Sequence, residues 1–229
     1  AGQMGLAVIG AAEAAAIIPA LNPDAIVGAA VHDDAWDIDT DRLIQHFARA
    51  IRDHGGTVQT GTAATGIEKR AGGWLVRTKA GDHAARILVN AAGAWADGVA
   101  AMAGIAPIGI TPLRRSVARV PAPGGMDVSG WPMLLGAGER WYAKPDAGQM
   151  IVSPADEDPV SEAHDAWPED LTLAEGIARY QAFVTEEVTR LTASWAGLRS
   201  FAPDRALVLG RDVAKPSFLW LAGQGGYGF

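Results

Sequence analysis

Phe218-Leu219-Trp220-Leu221-Ala222-Gly223-Gln224-Gly225-Gly226-Tyr227-Gly228-Phe229 is the stretch that decides the fold. Its first five residues are apolar and read as a buried strand. Gly223, Gly225, Gly226 and Gly228 then fall within six residues. Glycine has no Cβ, so this loop lets backbone pass close to something flat or charged. Such a loop normally feeds a helix, whose N-terminal N–H groups complete an anion site. The expectation is a fragment of a longer enzyme, or a domain completed by segments from elsewhere.

A second strand-to-loop unit lies upstream. Ile87-Leu88-Val89, within a strand read over 86–90, closes on Ala91-Ala92-Gly93, and a short helix follows over 95–103. Small residues at the carboxyl end of a strand bring backbone close to a ligand; the plain alternative is a tight turn with no ligand. N-terminal to both units the pattern predicts helices over 11–18 and 42–54, the latter capped by Asp39 or Thr40 and ended by Gly55-Gly56. Strands are predicted over 25–31, 57–60, 63–67, 74–78 and 206–209. Gly2, Gly5 and Gly10 are not read as following a strand. Prolines and glycines cluster from Pro107 to Pro132. Strands over 113–120, 140–144 and 150–153 then read as an antiparallel sheet with long connections. Asp156-Glu157-Asp158-Pro159 reads as a solvated turn, and 173–191 as one long amphipathic helix.

Composition narrows the chemistry. The chain has 229 residues, a net charge of -7 and no cysteine. No Lys/Arg block exists to neutralise phosphates, so nucleic acid is not an expected partner. Disulfides, thiolate metal sites and a cysteine nucleophile are excluded. Five histidines show no metal-ligand spacing, so no metal is expected. The aspartates from Asp33 to Asp41 lack the glycine and glutamate spacing of a calcium loop. His164-Asp165 has no nucleophile in view. No apolar run reaches the ~20 residues needed to span a bilayer. A cytoplasmic protein, at most peripheral to the inner membrane, is expected.

Arginine among small and apolar residues is costly to bury unless an anion pairs with it. Arg199 in Trp195-Ala196-Gly197-Leu198-Arg199-Ser200-Phe201 is one case, and Arg114-Arg115 another. Neighbours on a strand point to opposite faces, so only one of Arg114 and Arg115 can look inward. Tyr142, in Arg140-Trp141-Tyr142-Ala143-Lys144-Pro145, offers a phenolic donor, and Trp131 and Trp141 are candidate pocket walls. Surface or ion-pair roles for the arginines stand beside the ligand reading.

Taken together, these strings resemble the D-amino-acid oxidase superfamily of FAD-dependent oxidoreductases, and within it the bacterial D-arginine dehydrogenase branch. The matching segments are Asp37-Ile38-Asp39-Thr40-Asp41, Leu88 to Trp95, Trp131-Pro132-Met133, Tyr142 to Gly148, Trp195 to Phe201 and Gln224 to Gly228. The resemblance extends from about residue 11 to residue 229. It implies that Arg115, Tyr142 and Arg199 hold a substrate carboxylate. Met133, Leu135, Gly197 and Gly226 would line the substrate pocket. Ala64, Ala92, Gly93, Gly225, Gly226, Tyr227 and Gly228 would contact FAD.

The fold implied is α/β: a partial three-layer FAD-binding domain interleaved with a mixed, mainly antiparallel substrate-binding sheet. Residues 1–106 and 194–229 would belong to the FAD domain, and 107–193 to the substrate domain. Relative to the family, the N-terminal GxGxxG unit and the helix after Gly228 are not found. The activity implied is oxidative deamination of a D-amino acid. A hydride leaves the α-carbon for the flavin, and the imine formed is hydrolysed to a 2-oxo acid and ammonia. Oxygen or a quinone would re-oxidise the flavin. The rival readings are a glycine- or sarcosine-type amine oxidase, and a non-catalytic subunit without flavin.

Overall fold

The computed structural model describes residues 5–226. In chain order they form β1 (Ala7–Gly10), α1 (Ala11–Ile17), β2 (Gly28–Val31), α2 (Thr40–Asp53), β3 (Ala64–Arg70), β4 (Gly73–Thr78) and β5 (Gly81–Ala85). Next come β6 (Leu88–Asn90), α3 (Ala96–Met102), β7 (Thr111–Val120), β8 (Leu134–Leu135), β9 (Tyr142–Asp146), β10 (Gln149–Ser153) and β11 (Asp158–Pro159). The chain continues through α4 (Asp170–Gln181), β12 (Ala193–Phe201), β13 (Val208–Arg211) and β14 (Phe218–Ala222). This is a mixed α/β chain, and it divides into two compact units.

The first unit holds residues 5–35, 113–160 and 164–198. At its centre β7 pairs antiparallel with β10 and β11, β10 with β9, and β9 with β8. β12 pairs along β7. One face of this sheet is core: Val120, Ala143, Met150 and Val152 are buried in one cluster with Tyr180 of α4. Trp141 belongs to the same cluster, its ring 5.6 Å from that of Tyr180 and edge-on to it. The expectation that Trp141 walls a pocket is therefore corrected.

Three further expectations change here. Helix α4 ends at Gln181, well short of residue 191. The β-branched residues Val184, Thr185, Val188 and Thr189 suit extended backbone. The 20–22 segment also captures this chain: Asn22 N donates to Phe183 O and Thr185 N to Ala20 O, each at 2.9 Å. Gly10 does follow a strand, β1, and caps α1. Yet β1 pairs antiparallel with β2, whereas a dinucleotide-binding βαβ unit needs parallel strands. Lastly, Asp156 is not a solvated turn residue, for its side chain is only 5% exposed.

The second unit holds residues 36–112, 161–163 and 199–226. One small sheet is the antiparallel meander β3-β4-β5. The other has the order β13-β14-β6, with β14 and β6 parallel. Trp74, Phe218, Trp220, Ala96 and Ala100 form its core. Trp74 Nε1 donates to Ser217 O at 3.1 Å, satisfying the indole as it is buried. Asp39 caps α2, accepting from Arg42 N at 2.9 Å. Thr57, Val58 and Thr60 are β-branched, yet residues 57–60 form no strand.

Candidate functional site

Parallel strands end on the same edge of a sheet. Because β6 and β14 run parallel, with Phe218 opposite Leu88 and Trp220 opposite Asn90, the loops that follow them lie side by side. One is Ala91-Ala92-Gly93; the other is Gly223-Gln224-Gly225-Gly226. This edge is where open α/β sheets present ligand sites. The first turn is rigid: the Asn90 amide donates to Ala96 O at 2.8 Å, and Ala92 N donates to Asn90 Oδ1 at 3.3 Å. Only methyl groups and backbone project from it. Gly93 lies next to Ser200, whose Oγ is 3.8 Å from where a Cβ on Gly93 would stand.

The second turn lies across the end of β12. Gly225 N donates to Ser200 O at 2.8 Å. Gly226 sits at φ +92°, and a Cβ there would come 2.7 Å from Arg199 Cζ. The glycine thus permits direct contact between backbone and guanidinium. The structure therefore groups Ala92, Gly93, Arg199, Gly225 and Gly226 within one unit. Ala64 opens β3 at a register irregularity. Tyr227 and Gly228 lie outside the described residues.

In the first unit the pleat sorts the candidates. Leu135 stands opposite Tyr142, Tyr142 opposite Ser153, and Ile151 opposite Arg119. Side chains alternate along each strand. Leu135, Tyr142, Arg119 and Arg115 therefore share the sheet face that points away from the α4 core. Arg119 carries its guanidinium over the Trp195 ring at 5.5 Å on this face and pairs with Asp146. Met133 is half-exposed in the loop before β8, and Gly197 is exposed on β12.

Arg114 and Arg115 separate as the alternation requires. Arg114 turns to the α4 side, donating to Glu169 Oε1 at 2.6 Å and to Asp158 Oδ2 at 2.7 Å. The bond to Glu169 is the chief reason its acidity is weakened even below that of an ordinary arginine, so it stays charged. Arg115 donates from Nε to Asp156 O at 2.8 Å and from Nη2 to Glu157 Oε1 at 3.2 Å. The sequence reading gives Asp156 to a solvated turn and gives Ser116 no role. Their signal was present in principle: an acidic run is a ready partner for an adjacent pair of arginines.

Two turns built mainly of glycine, alanine and backbone stand at the carboxyl edge of a parallel strand pair, where a flat or charged ligand can approach closely. The family described as FAD dependent oxidoreductase (DAO) matches residues 1–229, and the chain belongs to it. Its cofactor is FAD. The hydrogen cyanide synthase subunit HcnC of Pseudomonas aeruginosa is 29% identical over 191 residues, covering 80% of this chain and 43% of that protein. The glycine oxidase of Geobacillus kaustophilus superposes with a TM-score of 0.82 at 22% identity, over 97% of this chain and 58% of that one. The FAD-bound L-alpha-glycerophosphate oxidase of Mycoplasma pneumoniae gives 0.86 at 21%, over 99% and 61%. The chain thus spans less than two thirds of the length of each. Among the described residues no helix is long and apolar enough to cross a membrane.

Proposed function

We propose that the whole protein oxidatively deaminates a D-amino acid, with FAD as the two-electron acceptor. The observation that carries this reading is Arg115 and Tyr142 on one sheet face, beside a family match that brings FAD. In this reading the residues 36–112 and 199–226 serve the flavin, and 113–160 and 164–198 serve the substrate. The Ala92-Gly93 and Gly225-Gly226 turns would hold the cofactor, with Ala64, Tyr227 and Gly228 as further contacts. Arg115 and Arg199 would grip the substrate carboxylate, because a guanidinium fork matches a carboxylate with two parallel hydrogen bonds. Tyr142 would add a phenolic donor. Met133, Leu135 and Gly197 would line the side-chain pocket.

Fixing the carboxylate fixes the α-carbon, which is the positioning contribution to rate. The amine must be neutral when the α-carbon is oxidised, so that its lone pair can form the imine. Water then converts the imine to a 2-oxo acid and ammonia. Oxygen or a quinone would take the electrons onward, and we place the reaction in the cytoplasm on the sequence grounds above.

The test is substrate profiling of the full-length protein. The expected result is a yellow flavoprotein that turns over D-amino acids. A preference for glycine or N-methyl glycine over bulkier D-amino acids would move it to the glycine-oxidase type. A colourless protein would make it a non-catalytic subunit.

A further inference from the structure

Between β10 and β11 the register along β7 slips. Val152 stands opposite Ala118 and Asp158 opposite Arg114, so five residues, 153–157, answer only three, 115–117. Two extra residues in a ladder make a bulge, and bulges re-aim side chains beside functional sites. This one is tied down at every point. Ser153 Oγ donates to Ser116 O at 2.7 Å, and Ala155 N donates to Ser153 Oγ at 3.1 Å. Ala155 takes a positive φ of 56°. Ser116, itself fully buried, donates from N to Asp156 Oδ1 at 2.7 Å and from Oγ to Oδ2 at 2.8 Å. That leaves the Asp156 carbonyl aimed at Arg115 Nε, 2.8 Å away.

We infer that Asp156 is a positioning residue: its carboxylate, locked onto Ser116, presents the carbonyl that orients Arg115. The inference rests on Arg115 binding the substrate carboxylate. A guanidinium held through Nε keeps its outer nitrogens in one plane, so less freedom is lost when they bind a carboxylate. Asp156 itself touches no substrate.

The experiment uses the full-length, flavin-loaded enzyme and steady-state rates with its best amino acid. Asp156→Ala, Arg115→Ala and the double variant are compared. Asp156→Ala should raise KM about tenfold with kcat changed less than about threefold, and the double variant should match Arg115→Ala alone. Asp156→Asn, which keeps the acceptor oxygen, should recover part of the loss. An unchanged KM in Asp156→Ala, or effects that multiply in the double variant, would overturn the inference. An unchanged KM in Arg115→Ala would instead remove Arg115 from the substrate site, and with it the reading this inference deepens. If Asp156→Ala yields no flavin-loaded protein, Ser116→Ala takes its place. It should raise KM about threefold, and only when Arg115 is present.

Discussion

Replacing Gly226 with alanine should damage substrate binding more than stability. Gly226 sits at φ +92°, where a Cβ would meet Arg199 Cζ at 2.7 Å. Alanine at a left-handed position costs about 1–2 kcal/mol. Carbon contacts relax only near ~3.5 Å, so the guanidinium must retreat by about 1 Å. Misplacement of that size can cost about a hundredfold in rate. We expect Gly226→Ala to lower kcat/KM for the amino acid by about ten- to a hundredfold, mostly through KM, while Tm falls by only a few degrees. The control is Gly223→Ala. Gly223 has φ +77°, but its missing Cβ would face Ala206 O and Ala202, not Arg199. Its stability cost should be similar and its KM unchanged. Initial rates and thermal melts of both full-length variants decide the matter. Equal KM values for Gly226→Ala and wild type would refute the claim that Gly226 exists to admit Arg199.

Arg199→Ala should lower kcat/KM by about a hundredfold or more, read in the same assay. Asp97 accepts from the backbone N–H groups of Ile108, Gly109 and Ile110 at 3.0, 3.0 and 2.8 Å. Asp97→Ala should therefore cost about 2–4 kcal/mol in urea unfolding, with these N–H groups left unmatched. Burial pushes the Tyr180 phenol up to about 12, whereas the unfolded chain titrates near its ordinary 10.0. The folded state then holds the proton that the unfolded state has lost. Stability should fall as pH rises from about 10 to 12, at about 1.4 kcal/mol per unit, and Tyr180→Phe should remove that part of the slope.

Much of this was readable residue by residue. The apolar run from Phe218 to Ala222 forms the strand its composition implies, and Asp39 caps its helix, because both signals are local. The parting of Arg114 and Arg115 follows from strand alternation alone. Where the sequence reading failed, distant partners decided. Residues 182–191 leave the helix because 20–22 compete for their backbone. β12 was not foreseen because Ala193, Ala196 and Gly197 dilute its apolar pattern, and β7 supplies the partner. Asp156 reads as a surface residue because its partners, Ser116 and Arg115, lie 40 and 41 positions away. A bulge has no composition signature when its turn is made by Ala155 in place of glycine.

In the proposed site Arg115, Tyr142 and Arg199 grip the acid end of an amino acid. A crystal structure of the full-length flavoprotein with a small carboxylate lacking the α-amine tests it most directly. Both guanidinium groups and the Tyr142 hydroxyl should lie within hydrogen-bond reach of the ligand carboxylate. A carboxylate bound elsewhere, with Arg115 and Arg199 both turned away from it, would contradict the account.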